Sequence, residues 1–229
     1  MEKVKQALLK STNYIDVLVL VAMLALSLWA WPQIAADARV PIHWGISGQV
    51  DGWADKSIAL FVLPGITLFV DFVCRIALST IDDAKGENKS KGLAMACIGG
   101  TMIFLGAVHA LIVFTGLGHA LPVAQLISGG IGILFLFLGT FMAMGKSERN
   151  PYFGVRTPWS MQSDEVWNKT NRWSGFMMMG MGVALLLSAA LNNMILMAGT
   201  VLAGTAILVF GSYFYSYKAR KEELARSSK

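Results

Sequence analysis

The side chains best suited to chemistry lie in two short polar segments and one apolar run. The first segment is PIHWGISGQVDGW, residues 41–53, which holds His43, Trp44, Gly48, Asp51 and Trp53. A histidine with a carboxylate can bind Zn²⁺. His43, Asp51 and the later His119 are therefore the weak candidates for a metal set. The chain has no HExxH, no His pair at helical spacing and no Cys cluster, so no metal or other cofactor is expected. A folded loop that holds His43 by hydrogen bonds is the simpler reading. The same loop, through His43, Trp44, Gly48 and Asp51, is also the candidate surface for a ligand or a toxin.

The second segment spans residues 146–173. It opens with NPYFGVRTPW, residues 150–159, and continues to Ser163-Asp164-Glu165 and VWNKTNRW, residues 166–173. Arg156 stands in a stiff turn between Gly154 and Pro158. A guanidinium there can tie the loop to helix ends, bridge carboxylates, or hold a lipid phosphate as a two-pronged fork. Ser163 is a good helix N-cap, and Asp164 and Glu165 complement the positive end of the helix dipole. A helix is expected from about 164 into the span that follows. Trp159, Trp167 and Trp173 suit the membrane interface.

Asp71 and Arg75 are four apart within an apolar run, the spacing of an ion pair on one helix face. An ionisable residue inside a membrane span is a functional hypothesis by default, and the partner one turn away also gives a structural reading. Asp16 reads as an interfacial or N-terminal charge at the start of the first helix.

These residues are carried by a membrane framework. The chain has 229 residues, of which 55% are hydrophobic and 14% charged. Its mean hydropathy is +0.57. A soluble domain carries about 25% charged residues. Residues 92–145 and 173–217 contain no Asp, Glu, Lys or Arg. Each stretch is too long for one crossing of about 20 residues. Each is broken once by turn chemistry, at GLGHALP (116–122) and at Asn192-Asn193. The pattern predicts an all-α membrane protein with six transmembrane helices near 14–35, 57–80, 92–116, 123–145, 174–191 and 194–217. Residues 17–36 are uncharged over a stretch longer than the h-region of a signal peptide, so they read as a retained first helix.

Of the 19 Lys and Arg, only Arg39 and Lys56 fall on one side of such a layout. The positive-inside rule then puts both termini in the cytoplasm and the 36–56 loop outside. The net charge of +5 does not suggest nucleic acid, because no basic stripe is interleaved with aromatics. Small residues at spacing four (Gly92, Ala96 and Gly100; Gly199 and Ala203; Thr200 and Gly204) predict close helix packing within the bundle. Cys74 and Cys97 sit in apolar helices and read as small packing residues. Two domains are expected: 1–90 with two helices and the outer loop, and 91–229 with four helices and the inner segment.

The two motifs together resemble the SdpI family of bacterial membrane proteins, named for immunity to a secreted sporulation-delaying peptide toxin. The N-terminal match lies in Pro41, His43, Trp44, Gly48, Asp51, Gly52 and Pro64. The C-terminal match lies in Asn150, Phe153, Gly154, Arg156, Thr157, Pro158, Trp159, Trp167, Thr170, Asn171 and Arg172. The resemblance implies an inner-membrane immunity protein, multi-pass and surrounded by lipid. It also implies a possible peptide toxin on the outer side and a cytoplasmic transcriptional repressor as partners. The inner-motif residues Asn150, Phe153, Gly154, Arg156, Thr157, Trp159, Trp167, Thr170 and Arg172 would lock the bundle or transmit a signal. No nucleophile–base constellation is visible, so no enzyme is expected. The alternatives are a small-molecule or ion transporter, which the Asp71–Arg75 pair would serve, and a metal-dependent membrane enzyme.

Overall fold

A computed structural model of the chain describes residues 14–45, 48–79, 88–144, 149 and 154–228. Asn150 and Phe153 lie outside the described residues, as do the basic positions Lys3, Lys5, Lys10, Lys85 and Lys146. The described chain is helical apart from one hairpin and short connections. The helices are α1 (Tyr14–Ala30), α2 (Lys56–Ser79), α3 (Asn88–Gly116), α4 (Val123–Met144), α5 (Asp164–Ala190) and α6 (Met194–Ser227). Six helices are long and apolar enough to cross a bilayer. In hydrocarbon no water is at hand to bond the backbone, so helices satisfy their own N–H and C=O groups. The protein is a multi-pass membrane protein.

The helix ends follow local chemistry. Pro32 lies at the start of a 3-10 turn, Trp31–Gln33, that finishes α1, since proline cannot extend the ladder of N–H donors. Ser163 caps α5, accepting from the Val166 amide. α5 then runs unbroken from Asp164 into its apolar part, as expected from the cap. Asn193 caps α6 through Oδ1, 2.9 Å from Leu196 N. α6 continues to Ser227, ten residues beyond the expected end at 217. Lys, Arg and Glu alternate over that extension and hold the helix together beyond the apolar part.

The 36–56 loop is more regular than glycine-rich turns suggest. It forms two antiparallel strands, β1 (Arg39–Trp44) and β2 (Val50–Asp55). Arg39 faces Asp55, Val40 faces Ala54 and His43 faces Gly52, with register irregularities on either side of His43. Gly48 turns the hairpin with φ of 77°, in the left-handed region that glycine enters without cost.

By contact density the chain divides into two compact units. One comprises residues 1–81 and 98–130, the other 82–97 and 131–229. In the first, the hairpin lies on the ends of α1, α2 and α3. Val40 and Ala54 bury their side chains with Ala30, Ile34, Leu60 and Val113. Lys56 is also buried: its Nζ bonds the Ile34 carbonyl at 2.8 Å and lies 4.2 Å from the Trp31 ring centre. It thereby caps the chain leaving α1.

Deeper in this unit, Pro64 sets a problem that Ser27 solves. A residue at 64 would normally donate its amide to the Leu60 carbonyl, and proline has none to give. The Ser27 hydroxyl of α1 takes that place, 2.6 Å from Leu60 O. His109 of α3 is fully buried, with Nε2 2.9 Å from the same Ser27 Oγ. The hydroxyl has one proton, and Leu60 O is its nearest acceptor. The imidazole must then donate from Nε2. One serine thus ties three helices.

In the second unit the tightest contact is backbone against backbone. A Cβ on Gly139 of α4 would lie 2.7 Å from Gly175 O of α5, and one on Gly182 of α5 would lie 2.7 Å from Gly132 O. The two pairs recur at a spacing of seven on both helices, so α4 and α5 approach more closely than any side chain allows. The expected small-residue stripes do less. Gly204 packs against Met181, but Gly92 and Gly199 have nothing within 4 Å of where a Cβ would be. Small residues on a helix facing lipid carry no obligation to pack.

Two outcomes follow. Ser27→Ala leaves the Leu60 carbonyl without the hydroxyl that serves it and removes one bond of the His109 ring, and should cost about 1–3 kcal/mol in reversible unfolding in detergent. The cost should shrink in a Pro64→Ala background, where an amide again reaches Leu60 O. Gly139→Leu should lower thermal stability in detergent by about 1–3 kcal/mol through overpacking, whereas Gly199→Leu should cost little.

Candidate functional site

The hairpin brings His43 to Asp51. Nδ1 of the imidazole lies 2.5 Å from Asp51 Oδ1, and the side chains are 70% and 51% exposed. Two glycines make the room. A Cβ on Gly52 would lie 2.7 Å from His43 Cβ, and one on Gly45 would lie 2.8 Å from Asp51 Oδ2. The Gly45 amide bonds the Gln49 carbonyl at 2.9 Å and closes the tip. Trp44 is half-buried against the core beneath, while Trp53 is exposed. Nδ1 donates its proton to the Asp51 carboxylate, and this bond leaves Nε2 unused by the pair. Asp55 does not join the pair. It binds Arg39 at 2.6 Å, with both side chains exposed. The His119 ring lies edge-on to Phe114 at 5.7 Å. Among the described residues, no group of three His, Cys, Asp or Glu side chains is placed to hold a metal ion.

The second constellation is buried. Arg75 Nε lies 2.7 Å from Asp71 Oδ2, one turn away on α2. Its Nη2 lies 3.1 Å from Asp16 Oδ2 on α1. Asp16 is only 3% exposed, so the charge at this helix start is buried against its neighbours and not solvated. It is drawn inward because a guanidinium offers five donors and Asp71 uses only part of them. The outer oxygens of both acids, Oδ1 of Asp16 and Oδ1 of Asp71, are buried and have no hydrogen-bond partner.

The third constellation is the segment before α5, clasped onto the ends of α5 and α6. Asn171 Oδ1 accepts from the Val155 amide at 2.7 Å, while its Nδ2 donates to Trp167 O at 2.9 Å. Gly154 has φ of 111°, and a Cβ there would lie 2.5 Å from Asn171 Oδ1 and 2.9 Å from the Trp167 ring. Trp167 is fully buried beneath. Thr157 accepts from the Ser160 amide at 3.0 Å and donates to Ser216 Oγ of α6 at 2.8 Å. One turn from there, Ser174 meets Ser212 at 2.8 Å. Trp159 lies edge-on to Tyr213 and Tyr217, at 4.7 and 5.1 Å. Beyond the apolar part, Ser163 bonds Glu223 and Glu165 pairs with Arg226.

Of the candidate residues here, Gly154, Thr157, Trp159 and Trp167 are therefore drawn into one packed clasp, and Thr170 is fully buried on α5. Arg156 and Arg172 are not. Arg172 is exposed, 5.7 Å from the Phe176 ring centre. Arg156 is exposed and makes no hydrogen bond or ion pair among the described residues. The tie between loop and helix end that it could have made is made by Arg149, which bonds Asp164 at 2.6 Å and Met161 O at 2.8 Å. Sequence reasoning missed the ties made by Arg149 and Asp16 and the Ser27–His109 link. Only the last had a signal: a proline inside a span calls for a donor to the carbonyl four residues before it.

Gly154→Ala should loosen the clasp. The left-handed backbone alone costs about 1–2 kcal/mol for a residue with a Cβ, and the clash with Asn171 adds to it. Limited proteolysis should then cut within 150–163 at a faster rate than in the unaltered protein.

Comparisons with known proteins bear on both ends. Residues 146–216 match the SdpI/YfhL protein family. Residues 18–68, which take in most of α1, the hairpin and half of α2, match a family described as Domain of unknown function (DUF1648). The chain is 24% identical over 183 residues to Immunity protein SdpI of Bacillus subtilis (strain 168), covering 79% of this chain and 84% of that protein. No solved structure matches. The match at 146–216 coincides with the clasp and the two helices that it joins, so the likeness to the SdpI/YfhL family is carried by that part of the chain.

Proposed function

We propose that this protein is a bacterial inner-membrane immunity protein that protects its cell from a membrane-active peptide toxin. The likeness to Immunity protein SdpI over most of both chains carries the reading. The arrangement of the polar residues is consistent with it. The hairpin presents an exposed imidazole–carboxylate pair beside Trp53, suited to a peptide that brings donors and apolar side chains. The basic residues favour an orientation with the hairpin outside and both termini in the cytoplasm. His43, Trp44, Gly48 and Asp51 then form the toxin-facing surface. The clasp, with Arg156 and Arg172 on its exposed side, is the part accessible to a cytoplasmic repressor. The protein acts by binding, not catalysis.

Transport is the second reading, favoured by one observation. Asp16 and Asp71 bury two carboxylates against Arg75 and leave two oxygens unbonded. Buried acids of this kind recur in proton and ion pathways.

Survival of a sensitive bacterium that expresses this protein, challenged with the sporulation-delaying peptide, tests the first reading. Unaltered protein should protect. His43→Ala should lose most of the protection at equal membrane abundance, because it removes the Asp51 partner and the hairpin's exposed ring. Full protection by the variant removes His43 from the mechanism. If well-inserted unaltered protein gives no protection, the immunity reading fails. Proton flux into proteoliposomes that Asp71→Asn abolishes would instead establish transport.

A further inference from the structure

α6 leaves an apolar groove beside the clasp, with one cation at its rim. The groove has a volume of about 630 Å³ and is lined by Leu208, Phe210, Tyr213 and Phe214 of α6, with Val155 and Arg156 of the clasp. Three features bear on what fills it. First, α6 packs on α5, and most of its side chains between 194 and 210 are exposed, so this face is turned to hydrocarbon. Second, the groove lies near the end of the apolar part. Phe214 is four residues before Lys218, about 6 Å along the helix, and Tyr213 and Tyr217 with Trp159 mark the headgroup level there. Third, Arg156 is exposed and has no acidic or carbonyl partner among the described residues. Asp164, Glu165 and Glu223 are each taken by Arg149, by Lys169 with Arg226, and by Arg220.

We propose that this groove is a binding site for an anionic phospholipid, with Arg156 holding the phosphate and the acyl chain lying along Leu208, Phe210 and Phe214. The groove's two ends need different chemistry in one molecule, a charged oxygen cluster at the rim and a hydrocarbon chain below. A phospholipid has that form, and the bilayer supplies it without a search. A guanidinium meets a phosphate with two parallel N–H donors, and at the membrane edge the pair is only partly screened. Zwitterionic lipid brings its own ammonium to compete with Arg156, so anionic lipid is preferred. Pro158 and the Thr157–Ser160 bonds hold the turn that presents Arg156, so little order is lost when the lipid binds. This site is independent of the toxin reading, since it concerns purified protein and lipid alone.

The test is native mass spectrometry of the full chain released from detergent supplied with equal phosphatidylglycerol and phosphatidylcholine. The unaltered protein should retain phosphatidylglycerol in preference. Arg156→Gln should cut that retention about fivefold, the loss expected for one basic residue at an anionic membrane surface. Arg156→Lys should restore part of it, and Gly199→Leu, on the same helix but outside the groove, should not change it. A matching thermal unfolding curve for Arg156→Gln shows that the variant is folded. Equal retention of the two lipids, or no effect of Arg156→Gln, overturns the proposal. Displacement of the lipid by millimolar inorganic phosphate assigns the rim to a free anion and also overturns it. A dimer with no lipid at Arg156 assigns the groove to a second copy.

Discussion

A backbone carbonyl in hydrocarbon has only protein to bond to, and the Leu60 carbonyl is the point where this chain must answer that constraint. Pro64 removes the amide that would have reached it. Ser27 supplies a hydroxyl at 2.6 Å, and His109 completes the link. The consequence extends beyond one hydrogen bond. Because the donor comes from α1 and the imidazole from α3, the register of three helices is set at one depth. The hairpin then has a defined floor. Val40 and Ala54 pack on that floor beside Leu60 itself, and Trp44 leans on the same cluster. The exposed His43–Asp51 pair is thereby held on a rigid base, although neither side chain is buried.

The second unit meets the same lack of water differently. Its helices carry no charge between 173 and 217. Gly132 and Gly139 meet Gly182 and Gly175 with no side chain between them. The Ser174–Ser212 hydroxyl pair joins α5 to α6, and the hydroxyl that does not donate across the pair donates to a carbonyl of its own helix. Where the helices leave the apolar region, the contacts turn ionic, with Glu223 and Arg220 at 2.5 Å and Glu165 between Lys169 and Arg226. The clasp sits at that change of medium. Its buried members, Thr157, Trp167 and Asn171, fix its shape, and Arg156 and Arg172 are exposed on its outer side.

Much of the framework was legible from residue order. Uncharged runs give the spans, Asn192-Asn193 and GLGHALP give the turns, and Ser163 gives the start of α5. In each case the determinant is local: a solvent preference averaged over twenty residues, or a cap within one turn. The hairpin was hidden because glycines and Pro41 lower strand propensity, while its register is set by Val40 and Ala54 meeting the helix ends. The buried place of Asp16 was hidden for a similar reason. Its partner Arg75 is 59 residues away, and a charge at a helix start is usually solvated.

The sequence by itself determined that the chain crosses a membrane six times and that its polar chemistry is confined to two segments and one buried pair. It also carried the family likeness, since both motifs are contiguous. Only the tertiary structure decided how those residues are used. It joined Asp16 to Asp71 and Arg75, set the His119 ring against Phe114, and gave to Arg149 the tie that Arg156 could have made. The reason is physical. Partition into lipid depends on side-chain type, which is written in order along the chain. Which donor reaches which acceptor depends on the crossing of helices, and that is set by contacts between residues far apart in sequence, such as Gly139 with Gly175 and Ser27 with Leu60.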